Sequence, residues 1–243
     1  MIVCARTDTG VSRTENQDAF SYYEDEVSLY LVADGMGGHR GGDFASNLVA
    51  DLTIDLFKES LDSLKSGKLL IPKFINKAIE KANDEIFRLS KEDMEDGTMG
   101  TTIVMIIVKN NTAYIAHVGD SRAYLIRDKV LKQLTIDHSL VEALIESGSI
   151  TKEEAKSHPQ RNIITRAVGT SKDIEVEIDS IEIKKDDIIL LSSDGFHGIL
   201  NEDYIIDKIN TTKDLTKVCE DFIDEVNHLG GPDNITILIM KKS

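Results

Sequence analysis

The chain has 243 residues, of which 41% are hydrophobic and 29% are charged, and its formal net charge is -15. This length and hydrophobic content suit one large domain with a sizeable core. The acidic balance argues against non-specific binding to nucleic acid or to anionic membranes, because both need clustered Lys and Arg. High net charge also favours solubility, so acidity alone identifies no function.

The cysteines and the first residues bear on the cellular compartment. Cys4 and Cys219 are the only cysteines, too few for a disulfide framework or a four-thiolate zinc site, which favours a reducing compartment. The residues after Met1 become polar too soon for a signal peptide. No apolar run approaches the ~20 residues that a membrane span needs. We therefore expect a cytoplasmic protein without membrane insertion.

The first third of the chain predicts strands followed by two helices. Residues 27–33 are β-prone and end at Asp34-Gly35. After a glycine-rich turn, large apolar residues recur every four positions, which predicts a helix with one apolar stripe. The stripe consists of Phe44, Leu48, Leu52 and Leu56. A second amphipathic helix is predicted over about 71–91.

The rest of the chain is rich in strands joined by short turns. Strands are predicted at 101–108, 112–118, 122–127, 130–134, 174–183, 187–192 and 235–240. Helices are predicted at about 202–209 and 213–228. Residues 137–168 are polar and partly helical, and they predict an irregular excursion from the sheets. Adjacent strands and paired helices favour an α+β fold with antiparallel sheets over a parallel βαβ arrangement, in one domain over 1–243.

Aspartates lie beside the ends of several predicted strands. These are Asp18, Asp34, Asp120, Asp194 and Asp233. A single Asp-Gly is ordinary turn chemistry, but as a set these carboxylates could meet at one rim and raise one another's pKa. Mg²⁺ or Mn²⁺, which prefer oxygen ligands, would relieve that repulsion. The sequence offers no Cys/His ligand cluster of the kind that structural zinc uses.

Six motifs occur in order along nearly the whole chain: Arg13-Thr-Glu-Asn-Gln-Asp18, Asp34-Gly-Met-Gly-Gly-His39, Gly100-Thr-Thr102, Gly119-Asp-Ser-Arg122, Ser193-Asp-Gly195 and Gly231-Pro-Asp-Asn234. Together they resemble the motifs of the metal-dependent protein phosphatases (type 2C, the PPM family), bacterial subgroup. The resemblance implies two stacked antiparallel β-sheets flanked by pairs of antiparallel helices, a four-layer αββα sandwich. It also implies hydrolysis of phosphoserine and phosphothreonine in proteins by a water that two metals activate, without a phosphoenzyme.

The resemblance implies separate roles for the aspartates. Asp34 matches the carboxylate that bridges two metal ions, and Gly35 matches the residue whose carbonyl binds the second. Asp194 and Asp233 match the remaining ligands of the first metal. Asp18 matches the acid that holds metal-bound waters.

Two further positions match a third cation and the substrate. Asp120, together with Asp194, matches the site of a third and weaker metal, so the implied cofactors are two or three Mn²⁺ or Mg²⁺ ions. Arg13 matches the guanidinium that binds the substrate phosphate with its planar fork. Phosphorylated proteins are the implied substrates, with a Ser/Thr kinase acting on the same proteins, and we expect a monomer.

The chain departs from the family pattern at two positions. Met36 stands where many eukaryotic relatives have a histidine proposed as general acid, and methionine cannot donate a proton. His39, or a metal-bound water, is then the candidate donor, although a histidine among glycines is more often a turn residue. Gln17 is neutral where some relatives have a glutamate, which leaves the second metal more dependent on water.

Some alternatives remain open from the residues alone. A regulatory module of the same fold would bind phosphoproteins without hydrolysis, and loss of ligand aspartates would mark it. A nucleotide-binding loop at 35–42 is disfavoured because its glycine spacing matches no phosphate-binding motif. Residues 137–168 occupy the place of the family's flap, where Arg161 and Arg166 fit solvated surface charges better than phosphate ligands. His117 is interpreted as a core residue.

Overall fold

The computed structural model describes residues 1–37, 41–92, 99–212 and 214–242. The strands are β1 (Ile2–Asp8), β2 (Asp18–Tyr23), β3 (Val27–Gly37), β4 (Met99–Thr101), β5 (Ile103–Lys109), β6 (Thr112–Val118), β7 (Arg122–Arg127), β8 (Val130–Gln133), β9 (Glu177–Glu182), β10 (Ile188–Ser192) and β11 (Ile235–Lys241). The helices are α1 (Gly41–Lys65), α2 (Ile71–Glu92), α3 (Leu140–Glu146), α4 (Lys152–Lys156), α5 (Asp194–His197), α6 (Glu202–Thr211) and α7 (Leu215–His228).

The strands form two antiparallel sheets that pack face to face. The first has the order β1-β11-β10-β7-β8, and the second has the order β2-β3-β5-β6-β9, with β4 paired to the end of β3. Helices α1 and α2 cover the second sheet, and α6 and α7 cover the first. This arrangement confirms the predicted α+β fold with four layers in the order αββα.

Strand β3 shows how the layers arise from the sequence. Leu29 and Leu31 belong to the core under α1 and α2, whereas Tyr30 and Val32 belong to the core between the two sheets. Because successive strand residues point to opposite faces, a strand buried on both faces is apolar at nearly every position. The run at 27–33, apolar at every position except Ser28, therefore marks a central strand.

Helix α1 buries a face that is rotated from the predicted stripe and overlaps it in part. Phe44 is 48% exposed, whereas Ala45, Val49 and Phe57 are fully buried. A helix advances about 100° per residue, so a strict four-residue repeat drifts by about 40° at each step around the axis. Of the predicted stripe, Leu56 is buried, and Leu48 and Leu52 are partly buried against the same core.

The excursion at 137–168, which we call the flap segment, lies between β8 and β9 and contains α3 and α4. Its two chain ends meet, since the N–H of Leu140 donates to the carbonyl of Ile163 at 2.8 Å. Arg161 in this segment is exposed, as predicted for a surface charge.

The helices are amphipathic rather than membrane-spanning in character. The longest, α1 and α2, have 25 and 22 residues and carry charged residues throughout. In the described part of the chain, no helix is both long enough and apolar enough to cross a bilayer.

Candidate metal centre

Asp18 and Asp34 face each other across paired strands. Asp18 begins β2, Asp34 lies near the end of β3, and the antiparallel register sets the two residues directly opposite. Asp194 begins the short helix α5 immediately after β10, a helix that the sequence pattern does not indicate. Asp233 immediately precedes Asn234 and β11. The two sheets thus bring residues distant in sequence to a common rim.

The carboxylates of the five aspartates lie close enough to affect one another's pKa. The pKa of Asp34 is raised well above its ordinary value, first by burial and then by the negative charges of Asp18, Asp194, Asp120 and Asp233. The predicted convergence of the five aspartates is therefore present in the fold. A side chain surrounded in this way releases its proton only with difficulty unless a cation is near.

Burial also raises the pKa of other members of the cluster. It raises the pKa of Asp18 to about 6 and the pKa of Asp120 to about 7. It raises the pKa of Asp194 as well, with the charge of Asp233 as a further cause. The ordinary value is 3.8, so without a cation these carboxyls keep their protons to a higher pH than a free aspartate does.

Asp18 carries a buried oxygen that lacks a hydrogen bond. Its Oδ2 accepts from the hydroxyl of Ser193 at 2.7 Å, whereas Oδ1 is buried and has no partner within the described ranges. An unsatisfied buried carboxylate oxygen is costly. The cluster is built of carboxylate oxygens, the ligand type that Mg²⁺ and Mn²⁺ select, so the residues present fit a divalent cation site.

Two threonines hold the backbone of Asp34. Its N–H donates to Oγ1 of Thr102 at 3.0 Å, and its carbonyl accepts from the N–H of Thr102 at 2.8 Å and from Oγ1 of Thr101 at 2.9 Å. Oγ1 of Thr102 also lies 2.7 Å from Oγ of Ser121. The Thr-Thr motif has no role that the sequence alone predicts. The structure shows that it holds the backbone of Asp34 in place.

Gly35 occupies a position with no room for a side chain. A Cβ atom there would lie 2.1 Å from the carbonyl oxygen of Gly42 and 2.5 Å from that of Gln17. The N–H of Gly35 donates to the latter carbonyl at 3.0 Å. Close packing of three backbone segments therefore requires glycine at this position, whatever its carbonyl binds.

Arg13 lies at the edge of the cluster and is half exposed. Its Nη2 donates to Oδ2 of Asp233 at 2.7 Å, and this bond is the main cause that raises the pKa of Arg13. Asn234 holds the loop that carries Arg13, because its Nδ2 donates to the carbonyls of Thr9 and Glu15, each at 2.9 Å. Asn234 was part of a recognised motif, but its anchoring role follows only from these long-range contacts.

The candidate proton donor His39 lies outside the described residues. Met36 is described and partly buried, and its thioether has no proton to give.

His117, His138 and Glu177 form a second group whose ligand atoms lie within 4.8 Å of one another. The two imidazole rings are stacked, with centroids 4.6 Å apart and planes inclined by 24°. Since a ring nitrogen binds a metal in the plane of its ring, such nearly parallel rings do not converge on one ion. His117 Nε2 also lies 2.7 Å from the carbonyl of Ile136. The group is therefore a hydrogen-bonded network, with His117 buried as predicted.

Comparison with known proteins agrees with this geometry. Residues 7–144 match the family model described as Protein phosphatase 2C. The serine/threonine phosphatase stp of Listeria monocytogenes serotype 4b (strain F2365) is 39% identical over 239 residues, covering 98% of this chain and 94% of that protein.

Two solved structures extend the likeness to the whole fold. The serine/threonine phosphatase of S. agalactiae has a TM-score of 0.89 at 34% identity, covering 100% of this chain and 99% of that chain. The catalytic domain of the serine/threonine protein phosphatase PstP, described in complex with two manganese ions, has a TM-score of 0.81 at 33% identity, covering 98% and 96%. The chain therefore belongs to the protein phosphatase 2C family and is a metal-dependent protein-serine/threonine phosphatase.

Proposed function

We propose that Asp34, Asp194 and Asp233 bind two divalent cations, with Gly35 contributing its carbonyl and Asp18 holding the surrounding water. The observation that supports this assignment is the carboxylate cluster, in which Asp18 is buried and has an oxygen without a partner within the described ranges. In the proposed arrangement, Asp34 would be a ligand of both ions.

The proposed reaction is direct attack of water on the phosphorus of a phosphoserine or phosphothreonine ester, without a phosphoenzyme. Two cations bound at such a site lower the pKa of water, so that hydroxide becomes available at neutral pH. Arg13 holds two phosphoryl oxygens with its planar guanidinium. Because Nη2 of Arg13 is paired with Asp233, a substrate phosphate that uses this nitrogen would compete with a carboxylate oxygen, whereas the other N–H groups of the guanidinium can bind phosphate directly.

We infer that Mn²⁺ or Mg²⁺ occupies the site. The manganese in the structure of PstP supports Mn²⁺, and the all-oxygen ligand set suits both ions. Asp120 and Asp194 are proposed to bind a third, weaker ion. The raised pKa of Asp120, about 7, supports this role because Asp194 is one of its charged causes.

The proton donor for the leaving alcohol is proposed to be His39, with water as the alternative. If His39 donates the proton, the rate of the wild-type enzyme should fall at alkaline pH, where the histidine is deprotonated. Loss of that alkaline fall in a His39→Ala variant would support the histidine. An unchanged pH profile would instead assign the proton to water.

We also infer the wider setting of the enzyme. Its substrates are phosphorylated proteins, and a Ser/Thr kinase that modifies the same proteins is the expected opposing enzyme. We propose one catalytic domain over 1–243, a monomeric state and a cytoplasmic location. The net charge of -15 supports the expectation that nucleic acid is no partner.

The decisive experiment is hydrolysis of p-nitrophenyl phosphate and of a phosphothreonine peptide by purified protein with Mn²⁺, followed by EDTA. Activity that requires Mn²⁺ and is lost in EDTA supports the proposal. Asp194→Ala should abolish turnover and keep cooperative unfolding, whereas Asp207→Ala, an exposed aspartate on α6, should leave turnover intact. Activity that survives in Asp194→Ala would overturn the metal assignment. Peptide binding without any hydrolysis would instead favour the non-catalytic module.

A further inference from the structure

The turn that carries Asp120 is attached at both ends to the first residues of the flap segment. At one end, the N–H of His138 donates to the carbonyl of Gly119 at 3.0 Å. At the other end, Arg122 donates to both carboxylate oxygens of Asp137, from Nε at 2.8 Å and from Nη2 at 2.6 Å. Asp120 therefore lies between two attachment points.

The imidazole of His138 makes a second bond to the same glycine. The N–H of Gly119 donates to Nδ1 of His138 at 3.1 Å, and the whole contact is buried. Gly119 has φ +106°, and a Cβ atom there would lie 2.6 Å from Cγ2 of Thr102. The backbone before Asp120 is thus held in a conformation that packing and two hydrogen bonds define together.

These contacts determine which nitrogen of His138 carries the proton. A backbone N–H can only donate, so Nδ1 must accept and the proton of the neutral ring lies on Nε2. Nε2 lies 2.9 Å from Oε1 of Glu177 on β9, an acceptor that favours this tautomer. Arg166 Nη1 lies 3.4 Å from the same Nε2, so without Glu177 a positive charge would face the Nε2 proton.

We propose that His138, held in its Nε2–H tautomer by Glu177, is a positioning residue for Asp120. The inference rests on the proposed function, because Asp120 is there assigned to the weaker cation site. Residues that orient a metal ligand through hydrogen bonds commonly change affinity about 10- to 100-fold when removed. Neither His138 nor Glu177 belongs to the aspartate cluster, and neither is proposed to touch the cation.

Paired substitutions separate the two hydrogen bonds of the ring. His138→Asn keeps an acceptor near the position of Nδ1, whereas His138→Gln keeps a donor near the position of Nε2 and loses the acceptor. Glu177→Ala removes the partner of Nε2, and Glu177→Gln restores a neutral acceptor. Asp179→Ala is the matched control, since it removes an exposed carboxylate from the same strand.

The first measurement uses metal-free protein and NMR. Exchange of the Gly119 amide should be at least about tenfold faster in His138→Gln than in His138→Asn, because loss of the acceptor opens a buried N–H. The ¹⁵N shifts of the His138 ring should report the Nε2–H tautomer in wild type and a shift toward Nδ1–H in Glu177→Ala. Equal exchange in the Asn and Gln variants, or an unchanged ring spectrum in Glu177→Ala, would overturn the proposal.

The second measurement is a titration with Mn²⁺, followed by the EPR signal of the free ion. The weaker Mn²⁺ should bind about tenfold less tightly in His138→Gln and Glu177→Ala, and within about twofold of wild type in His138→Asn, Glu177→Gln and Asp179→Ala. Equal affinity in all variants would overturn the positioning role. If wild-type protein bound no Mn²⁺ at all, the proposed function would be overturned instead. The exchange measurement does not depend on Mn²⁺ and would still test the His138–Glu177 pair.

Discussion

Arg13 and Asp233 form an ion pair at the rim of the cluster, with Nη2 of the first 2.7 Å from Oδ2 of the second. The residue proposed to bind phosphate is therefore paired with a residue proposed to bind a cation. The side chains are 53% and 35% exposed, and exposed pairs contribute little to stability. The pair can open at low cost, and a cation on Asp233 would leave the guanidinium freer to bind substrate.

Arg13→Ala should raise KM for a phosphothreonine peptide by about tenfold and change kcat much less, because it removes phosphate binding and leaves the carboxylates in place. Steady-state kinetics at saturating Mn²⁺ measure both constants. Arg6→Ala is a suitable control, since Arg6 pairs with Glu220 on a different surface at 3.5 Å. An unchanged KM in the Arg13 variant would remove this residue from substrate binding.

Asp194→Asn should separate stability from activity. In EDTA at about pH 8, loss of one charge from a repelling cluster should raise the melting temperature by a few degrees. The same variant should lose hydrolysis and lose most of the stabilisation by Mn²⁺, which follows from mass action on the folded state. Differential scanning calorimetry with and without Mn²⁺ tests this, and Asp207→Asn is the exposed control. Lower stability in EDTA would contradict the predicted repulsion.

The metal-free protein should lose stability as pH rises through the mildly acidic range. Folding raises the pKa of Asp18 to about 6 and that of Asp120 to about 7, from 3.8. A raised pKa means that the folded state binds the proton more tightly, so this stabilisation is complete below about pH 4 and is lost as the pH rises through the two folded pKa values, about 6 and about 7.

Comparison with a variant isolates this effect from other titrating groups. The free energy of unfolding of Asp120→Asn, minus that of wild type, should increase with pH by at most about 1.4 kcal/mol per unit between about pH 4 and pH 7 in EDTA. Urea unfolding at several pH values measures it. A difference that stays flat would show that Asp120 has an ordinary pKa. Saturating Mn²⁺ should abolish the slope above about pH 6, because the ion binds the deprotonated form.

Ser193→Ala should weaken Mn²⁺ binding by about tenfold, because it removes the hydroxyl that donates to Oδ2 of Asp18 at 2.7 Å. It should also destabilise the fold by about 1–3 kcal/mol, since Oγ of Ser193 accepts from the N–H of Thr236 at 3.0 Å. Ser193→Thr keeps the hydroxyl and should restore both properties. If Ser193→Ala and wild type bind Mn²⁺ equally, this serine has only a structural role.

Local patterns in the sequence predicted much of the architecture. Strand β6 has the predicted bounds, and α2 differs from its prediction by one residue at its end. Both elements have a clear period, of two residues in the strand or 3.6 in the helix. In α1 the prediction was wrong at Phe44, which faces outward, whereas the neighbouring small residue Ala45 is fully buried. Which face packs depends on the partner surface, and no local repeat encodes that surface.

The sequence by itself determined the set of aspartates and the family, because six motifs in order require no knowledge of contacts. Only the tertiary structure decided how those aspartates are held. Thr102 is hydrogen-bonded to Asp34, 68 positions away in the sequence, and Ser193 is hydrogen-bonded to Asp18, 175 positions away. Such bonds form because the two sheets stack and bring distant parts of the chain together. Burial of apolar core residues drives that stacking, and nothing in those residues indicates where the site lies.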